Sequence, residues 1–163
     1  MGTPLLYGLP PIIAAGAHTL ILGNMPSAMS LAAQQYYGNP RNAFWRITGE
    51  IFGFGADDPY PARVAALTAQ RVAVWDVLRS CRRVGSLDAA VEPASMVPND
   101  FGKLFSDYPD IGQVLFNGAA AERNYHRLVG AVSVRYHRLP STSPAHTMRY
   151  VDKLAAWREG IGQ

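Results

Sequence analysis

The sequence predicts an α/β fold, a three-layer sandwich with a central four-stranded parallel sheet flanked by helices. Two observations predict it: short apolar runs recur along the chain, and segments with helical periodicity separate them. Strands buried on both faces of a parallel sheet have nearly continuous apolar sequences, and their alternation with helices is typical of right-handed crossovers. A chain of 163 residues matches about one domain, so we expect a single domain over 1–163.

The predicted strands and helices alternate in order along the chain. Four apolar runs, mostly rich in β-branched residues, predict the strands, at 19–22, 72–75, 114–116 and 132–136. Four segments place apolar side chains on one helical face and predict helices, at 42–52, 61–69, 119–129 and 148–158. Proline and glycine cluster at 53–61 and 92–98, and we interpret both clusters as surface loops.

Charge is distributed unevenly, because residues 1–40 contain no Asp, Glu, Lys or Arg. Such a stretch is a leader, a membrane segment or a buried part of the fold. A secretory leader needs a basic residue before its apolar run, and a membrane helix needs about 20 uninterrupted apolar residues. Here no basic residue precedes the run, and Pro10, Pro11 and His18 interrupt it. We therefore expect neither a leader nor a membrane segment.

The cysteines, histidines and charged residues limit which metals, cofactors and macromolecules the protein can bind. Cys81 is the single cysteine, which excludes an internal disulfide and a four-cysteine metal site, so we interpret it as a small core residue of a cytoplasmic protein. The four histidines lack metal-ligand spacing, so we expect no metal and no cofactor. Residues 111–163 carry seven basic and three acidic side chains. This excess is compatible with a polyanion partner but alone favours nucleic acid only slightly over a solvated surface.

Ligands of such folds bind at the carboxyl ends of the strands. Four predicted strand ends supply the loops that should converge on one cleft: 23–27, Asp76, 117–118 and 139–146. The first loop lacks the Gly-x-Gly and Gly-Lys-Ser/Thr spacings of dinucleotide and nucleoside triphosphate sites. No serine lies in a Gly-x-Ser-x-Gly turn, which argues against a hydrolase triad.

The segment 36–45 combines tyrosines, amides, an arginine and two further aromatic residues. Aromatic rings stack on bases, amides bind base edges or water, and arginine binds phosphate. The structural alternative is a helix N-terminus capped by Asn39 with Pro40 in its first turn. Both interpretations are compatible, but Tyr37 and Asn42 are harder to explain as core residues than the aromatic pair that follows them.

The segment 140–144, Pro-Ser-Thr-Ser-Pro, is a rigid loop rich in hydroxyl groups. Its hydroxyls and amides can hold a backbone phosphate, and the equally good alternative is a loop that caps only its own turns. His146 follows in the same strand-end loop and is the one histidine that we expect near a site.

Together, these motifs resemble those of the uracil-DNA glycosylase superfamily. The resemblance is closest to the hypoxanthine-DNA (deoxyinosine) glycosylase branch and next closest to the mismatch-specific uracil-DNA glycosylases. Six segments in the same order carry it: LILGNMPS at 20–27, QYYGNPRNAFW at 35–45, VWDVL at 74–78, GSLD at 85–88, FNG at 116–118 and LPSTSPA at 139–145. The resemblance implies a four-stranded parallel sheet and metal-free removal of a damaged base from DNA.

Three positions distinguish the branches of this superfamily. Most members have Asn or Asp at the third position of the first motif, where this chain has Met25. In the hypoxanthine branch the catalytic amide belongs instead to the Pro-Arg-Asn-x-Phe-Trp segment, which places it at Asn42. The histidine that precedes Pro-Ser in the uracil enzymes is Leu139 here. The resemblance therefore favours hypoxanthine over uracil.

The resemblance also implies roles around the flipped base. Tyr37 would stack on the base, and Asn42 would position water or bond the leaving purine. Backbone amides near Asn24 and Met25 would receive negative charge that develops on the base. Asp76 would accept a hydrogen bond from N1–H of hypoxanthine and repel the N1 lone pair of adenine, and its alternative role is a loop cap.

The C-terminal loop would hold the DNA backbone. Ser141 and Ser143 would bind phosphates, and Met148 or His146 would fill the gap that the flipped base leaves. We therefore expect a monomeric, monofunctional enzyme acting on duplex DNA that contains a deaminated base, with no membrane partner. The alternatives are a uracil or mismatch-specific uracil-DNA glycosylase, and a catalytically degenerate DNA-binding module, which Met25 keeps open.

Overall fold

Seven strands and six α-helices form the framework of the computed structural model, which describes residues 2–162. The strands are β1 (Leu5–Tyr7), β2 (Thr19–Gly23), β3 (Val72–Asp76), β4 (Leu78–Arg82), β5 (Val97–Pro98), β6 (Gln113–Asn117) and β7 (Arg135–Leu139). The helices are α1 (Ala28–Ala33), α2 (Phe44–Phe52), α3 (Tyr60–Ala69), α4 (Phe101–Asp107), α5 (Ala119–Leu128) and α6 (Tyr150–Ile161).

The central sheet has four parallel strands in the order β3-β2-β6-β7, which confirms the predicted architecture. Successive side chains of a strand point to opposite faces, so the apolar strands fill two cores. Leu20 and Leu22 of β2 lie in one core with residues of α4 and α5. Ile21 lies in the other core with residues of α2, α3 and α6. Helices therefore cover both faces and complete the three layers.

The fourth predicted strand is wrong in its bounds, because β7 begins at Arg135 rather than at 132. Val132 lies before the strand and is exposed. β7 is an edge strand that pairs only with β6, so polar side chains such as His137 remain exposed along it. An edge strand does not require the continuous apolar run that identified the three inner strands.

A second, antiparallel sheet of three short strands, β1-β4-β5, was not predicted. β4 follows β3 after a single residue, Val77, and mixes buried residues with the exposed Arg79 and Arg82. The cluster at 92–98 is therefore not only a loop, since it contains β5. Among residues 2–162, no helix is long and apolar enough to span a membrane.

Candidate active site

A cleft of about 460 Å³ opens at the carboxyl ends of the parallel strands. All four predicted strand-end loops contribute to it, as does the segment that precedes α2. Eight of the nine residues predicted for the site line this cleft: Asn24, Met25, Tyr37, Asn42, Asp76, Ser141, Ser143 and His146. Met148 does not line it and lies exposed two residues beyond His146.

The floor of the cleft is formed where β2 and β3 end side by side. Gly23 pairs in register with Asp76. A β-carbon at position 23 would clash with Oδ1 of Asp76 and meet the Tyr37 hydroxyl at 3.0 Å. Only glycine therefore allows the carboxyl and the phenol to approach the end of β2 this closely.

Asp76 is an unpaired carboxyl group at this floor. It is 4% exposed, and its Oδ2 is buried without a hydrogen-bond partner among the described residues. Burial, together with repulsion from Asp88, raises the pKa of Asp76 to about 7, although the positive charge of Arg83 opposes this change. Near neutral pH the side chain therefore exists both as a carboxylate and as a carboxylic acid.

Tyr37 forms one wall of the cleft and has a left-handed backbone, with φ of 53°. Such a conformation costs about 1–3 kcal/mol for a bulky residue. Two contacts hold it: the ring stacks on Phe44 at a centroid distance of 4.0 Å, and the hydroxyl accepts a hydrogen bond from Nδ2 of Asn117 at 3.1 Å. Because Phe44 covers one face of the ring, only the other face remains for a ligand.

Asn117 is a cleft residue that the site prediction missed, although the FNG motif contains it. Its Nδ2 donates to the hydroxyls of Tyr37 and Thr142, and its Oδ1 accepts from the backbone N–H of Thr142 at 2.9 Å. The sequence signal was its position at the end of a buried strand. Asn117 therefore connects the aromatic wall to the hydroxyl-rich loop.

Asn42 precedes α2, and its side chain binds a backbone N–H group in the first turn of that helix. Its Oδ1 accepts a hydrogen bond from the backbone N–H of Phe44 at 2.9 Å. The alternative prediction, capping by Asn39 with Pro40 in the first turn, is wrong, because the helix begins at Phe44 and Asn39 Oδ1 accepts from Arg41. The amide N–H groups of Asn42 make no hydrogen bond within the described part of the chain, so this side chain brings free donors to the cleft.

Asn24 differs because the protein uses both ends of its amide. Its Nδ2 donates to Oδ1 of Asp88 at 3.1 Å, and its Oδ1 accepts from Nδ2 of Asn124 at 2.9 Å. The residue is 5% exposed. Met25 follows it as a nearly buried apolar side chain of the same turn. This turn therefore offers a ligand its backbone and an apolar surface rather than a free amide side chain.

The loop 141–146 caps its own turns. The hydroxyl oxygens of Ser141 and Ser143 accept from the backbone N–H groups of Ser143 and Ala145, at 3.1 and 3.2 Å. Each hydroxyl still has its hydrogen as a donor. Lys153 of α6 is 4% exposed and donates to the carbonyl of Ser143 at 3.1 Å, so a positive charge lies directly below this loop.

Residues 86–89 form another wall of the cleft, which was not among the predicted site residues although the GSLD motif covers most of it. Ser86 Oγ accepts from the backbone N–H of Ala28 at 2.9 Å, and Asp88 accepts from Asn24. These two contacts attach the loop to the turn after β2. Within residues 2–162, no group of three or more His, Cys, Asp or Glu side chains is arranged to hold a metal ion.

Comparison with known proteins agrees with this geometry. The model of the uracil DNA glycosylase superfamily matches residues 10–160. The chain is 33% identical over 151 residues to a hypoxanthine DNA glycosylase of Methanosarcina acetivorans, covering 92% of this chain and 94% of that protein. It is 32% identical over 155 residues to a hypoxanthine DNA glycosylase of Methanosarcina barkeri, covering 94% and 96%.

A solved structure gives the same result for the fold. The solution structure of a Methanosarcina acetivorans protein, described as a candidate uracil DNA glycosylase, superimposes with a TM-score of 0.82 at 32% identity and covers 96% of each chain. The molecule is thus an α/β sandwich of this class, with a cleft at the carboxyl ends of its parallel strands. The chain belongs to the uracil-DNA glycosylase superfamily, and it is a DNA glycosylase, a hydrolase of N-glycosyl bonds that acts in DNA repair.

Proposed function

We propose that this DNA glycosylase flips hypoxanthine out of duplex DNA and hydrolyses its N-glycosidic bond, leaving an abasic site. The observation that carries the proposal is that one cleft is lined both by the free amide donor of Asn42 and by the buried carboxyl of Asp76. The two relatives described as hypoxanthine DNA glycosylases support the same substrate.

Asn42 is proposed as the catalytic amide. A leaving purine accumulates negative charge, and hydrogen-bond donors directed at that charge lower the barrier. Since Oδ1 of Asn42 already accepts from Phe44, its unused groups are donors. This favours a bond from Asn42 to the leaving purine over the positioning of water through its carbonyl oxygen. Backbone N–H groups near Asn24 and Met25 are proposed to donate to the same charge.

Asp76 is proposed to select the base. As a carboxylate it accepts from N1–H of hypoxanthine and repels the N1 lone pair of adenine. As a carboxylic acid it presents both a donor and an acceptor, which match adenine as well. Because the pKa of Asp76 is about 7, selection against adenine should improve as the pH rises above neutrality.

Tyr37 and the hydroxyl-rich loop are proposed to hold the flipped nucleotide. The face of Tyr37 opposite Phe44 would stack on the base. Ser141 and Ser143 would donate their hydroxyl hydrogens to flanking phosphates, with the charge of Lys153 behind them. His146, rather than Met148, lines the cleft and is the better candidate to enter the base stack.

We further propose a monofunctional enzyme, acting as a monomer with all nine predicted site residues on one domain. A lyase step needs an amine that attacks the sugar, and no lysine lines the cleft within the described residues. Lys153, the nearest lysine to the loop, is buried and donates to a carbonyl. The enzyme should therefore release base without cutting the strand.

The test uses matched duplexes that carry one inosine, uracil, xanthine or mismatched thymine, scored for abasic sites. We expect rapid excision from inosine, slow or no excision from uracil, and none from the undamaged duplex. Cleavage of the DNA strand without added alkali would contradict the monofunctional assignment.

Two other outcomes identify the alternatives. Faster excision of uracil than of inosine would assign a uracil or mismatch-specific enzyme. Binding that weakens steeply with salt, without excision of any base, would assign a degenerate DNA-binding module.

A further inference from the structure

Arg83 is a buried charge that the proposed reaction does not use. It follows β4, is 1% exposed, and donates through Nη2 to the carbonyl of Pro26 at 2.7 Å. Its Nε and Nη1 are buried and have no hydrogen-bond partner among the described residues. Burying a guanidinium with unpaired donors costs several kcal/mol, so its role in packing alone does not explain it.

The position of Arg83 connects it to the floor of the cleft. Pro26 belongs to the turn that begins at Gly23, and Gly23 lies against the carboxyl of Asp76. The Oδ2 atom of Asp76 is likewise buried and unpaired. Two opposite charges with unsatisfied polar atoms therefore lie under one site, yet no ion pair within 4 Å joins them in the described residues.

We propose that Arg83 is a positioning residue that fixes the 24–27 turn through Pro26 and supplies the positive charge that keeps Asp76 a carboxylate, the form that accepts from hypoxanthine and repels adenine. This inference rests on the proposed function, because it gives Asp76 the role of selecting the base. Arg83 acts through Pro26 and Asp76 and does not touch the substrate.

The groups that act on Asp76 have opposing effects. Burial and the charge of Asp88 favour the neutral carboxylic acid, and Arg83 favours the carboxylate. The phenols of Tyr36 and Tyr37 also interact with it, but burial raises their pKa above the working range, so they stay neutral. Among the described residues, Arg83 is thus the positive charge that opposes the effect of burial on this carboxyl. Without it, Asp76 would hold its proton to higher pH and would accept adenine as readily as hypoxanthine.

The test compares neighbouring arginines in the full-length protein. Arg83→Met removes the buried charge, and Arg83→Lys keeps it. Arg82→Met is the matched control, because Arg82 is exposed and its side chain donates to the carbonyl of Thr3, away from the cleft. The first measurement is the carbon-13 NMR titration of the Asp76 carboxyl, assigned with Asp76→Asn. It needs no substrate.

We expect Arg83→Met to raise the titration midpoint of Asp76 by about half to one pH unit, because the carboxylate loses the attraction of an opposite charge more than 4 Å away. Arg83→Lys should stay near the wild type, and Arg82→Met should not move it. An unchanged midpoint in Arg83→Met, or an equal shift in Arg82→Met, would overturn the inference. Arg83→Lys that behaves like Arg83→Met would overturn the role of the charge.

The second measurement is the pH profile of selectivity, the rate of base release from inosine duplexes divided by the rate from adenine duplexes. We expect the acidic limb of this ratio to move with the carboxyl midpoint in Arg83→Met and to stay in place in Arg82→Met. A carboxyl midpoint that moves while the limb stays in place would reject the role of Asp76 in the proposed function but retain its coupling to Arg83. A wild type that excises no base would reject the proposed function, and the NMR result would stand separately.

Discussion

Two turns border the cleft, and each contains an asparagine. The two asparagines differ in which amide groups remain available to bind a ligand. In the turn after β2, Asn24 bonds to Asp88 and Asn124 through both ends of its amide. In the turn before α2, Asn42 uses only its oxygen, for the backbone N–H of Phe44. The protein bonds the first amide at both its nitrogen and its oxygen, whereas the nitrogen of the second has no hydrogen-bond partner among the described residues. Residue type alone therefore does not identify a catalytic amide, because its partners decide what it can still bind.

The same contrast explains how Met25 is compatible with an enzyme. The turn after β2 is attached to the 86–89 loop and to α5, so it is built as a rigid support. The chemistry is proposed for the opposite side, where the start of α2 orients Asn42. A polar side chain at position 25 is then not required.

The largest expected effect tests the free donor. Asn42→Asp keeps an oxygen for the Phe44 N–H but replaces the donor, and Asn42→Ala removes both. We expect either change to lower kcat on inosine duplexes by about 10²- to 10³-fold, because a donor to the developing charge is lost. Single-turnover rates of base release measure this effect.

The matched control is Asn39→Ala, which removes another amide of the same turn. Its rate should stay within a few-fold of the wild type. Full activity in Asn42→Ala would reject Asn42 as the catalytic amide.

The next effect concerns Asp76 at the floor between the two turns. Its folded pKa of about 7 lies above the ordinary value of 3.8, so its ionisation disfavours the native state. The protonated carboxyl therefore contributes to the free energy of unfolding. This contribution is complete below about pH 4 and is lost as the pH rises to 7. Asp76→Asn does not ionise, so its stability relative to the wild type should rise by up to about 4 kcal/mol between pH 4 and 8.

Urea unfolding of both proteins at several pH values measures this difference. A stability difference that stays constant across that range would show that the carboxyl of Asp76 titrates as in water.

A smaller effect tests Asn24, whose amide is bonded to the protein at both its nitrogen and its oxygen. Asn24→Ala leaves the Asp88 carboxylate and the buried Asn124 amide without a partner, which should destabilise the protein by about 1–3 kcal/mol. Excision by the folded protein should fall far less than in Asn42→Ala. Denaturant unfolding together with single-turnover rates separates the two quantities. If Asn24→Ala lost as much rate as Asn42→Ala at unchanged stability, Asn24 rather than Asn42 would be the better candidate for the catalytic amide.

The smallest effect concerns the hydroxyl-rich loop. Ser143→Ala removes one proposed donor to a phosphate, so binding should weaken by about 2- to 5-fold, equally for damaged and undamaged duplexes. Fluorescence anisotropy measures both affinities, and Ser106→Ala, an exposed serine of α4, is the control. A loss confined to the inosine duplex would place Ser143 at the base rather than at the backbone.

Much of the fold was predictable because the inner strands are apolar on both faces. β2, β3 and β6 are continuous hydrophobic runs, and their ends marked the loops that line the cleft. The charge-free first 40 residues were correctly interpreted in part, since they contain β2 and the buried turn at Asn24. The bounds of the edge strand β7 and the whole of the small second sheet escaped prediction, because exposed strands do not need an apolar sequence.

By itself the sequence determined the number of parallel strands, their order along the chain and the strand-end loops that line the cleft, because these depend on local apolar pattern and on strand ends. Only the tertiary structure decided which side chains remain free. Asn24 meets partners 64 and 100 residues away, and Asn117 meets Tyr37 across 80 residues. The pKa of Asp76 and the burial of Arg83 depend in the same way on desolvation by distant segments. Hydrogen bonds and burial of this kind arise when the chain packs, so local sequence carries no signal for them.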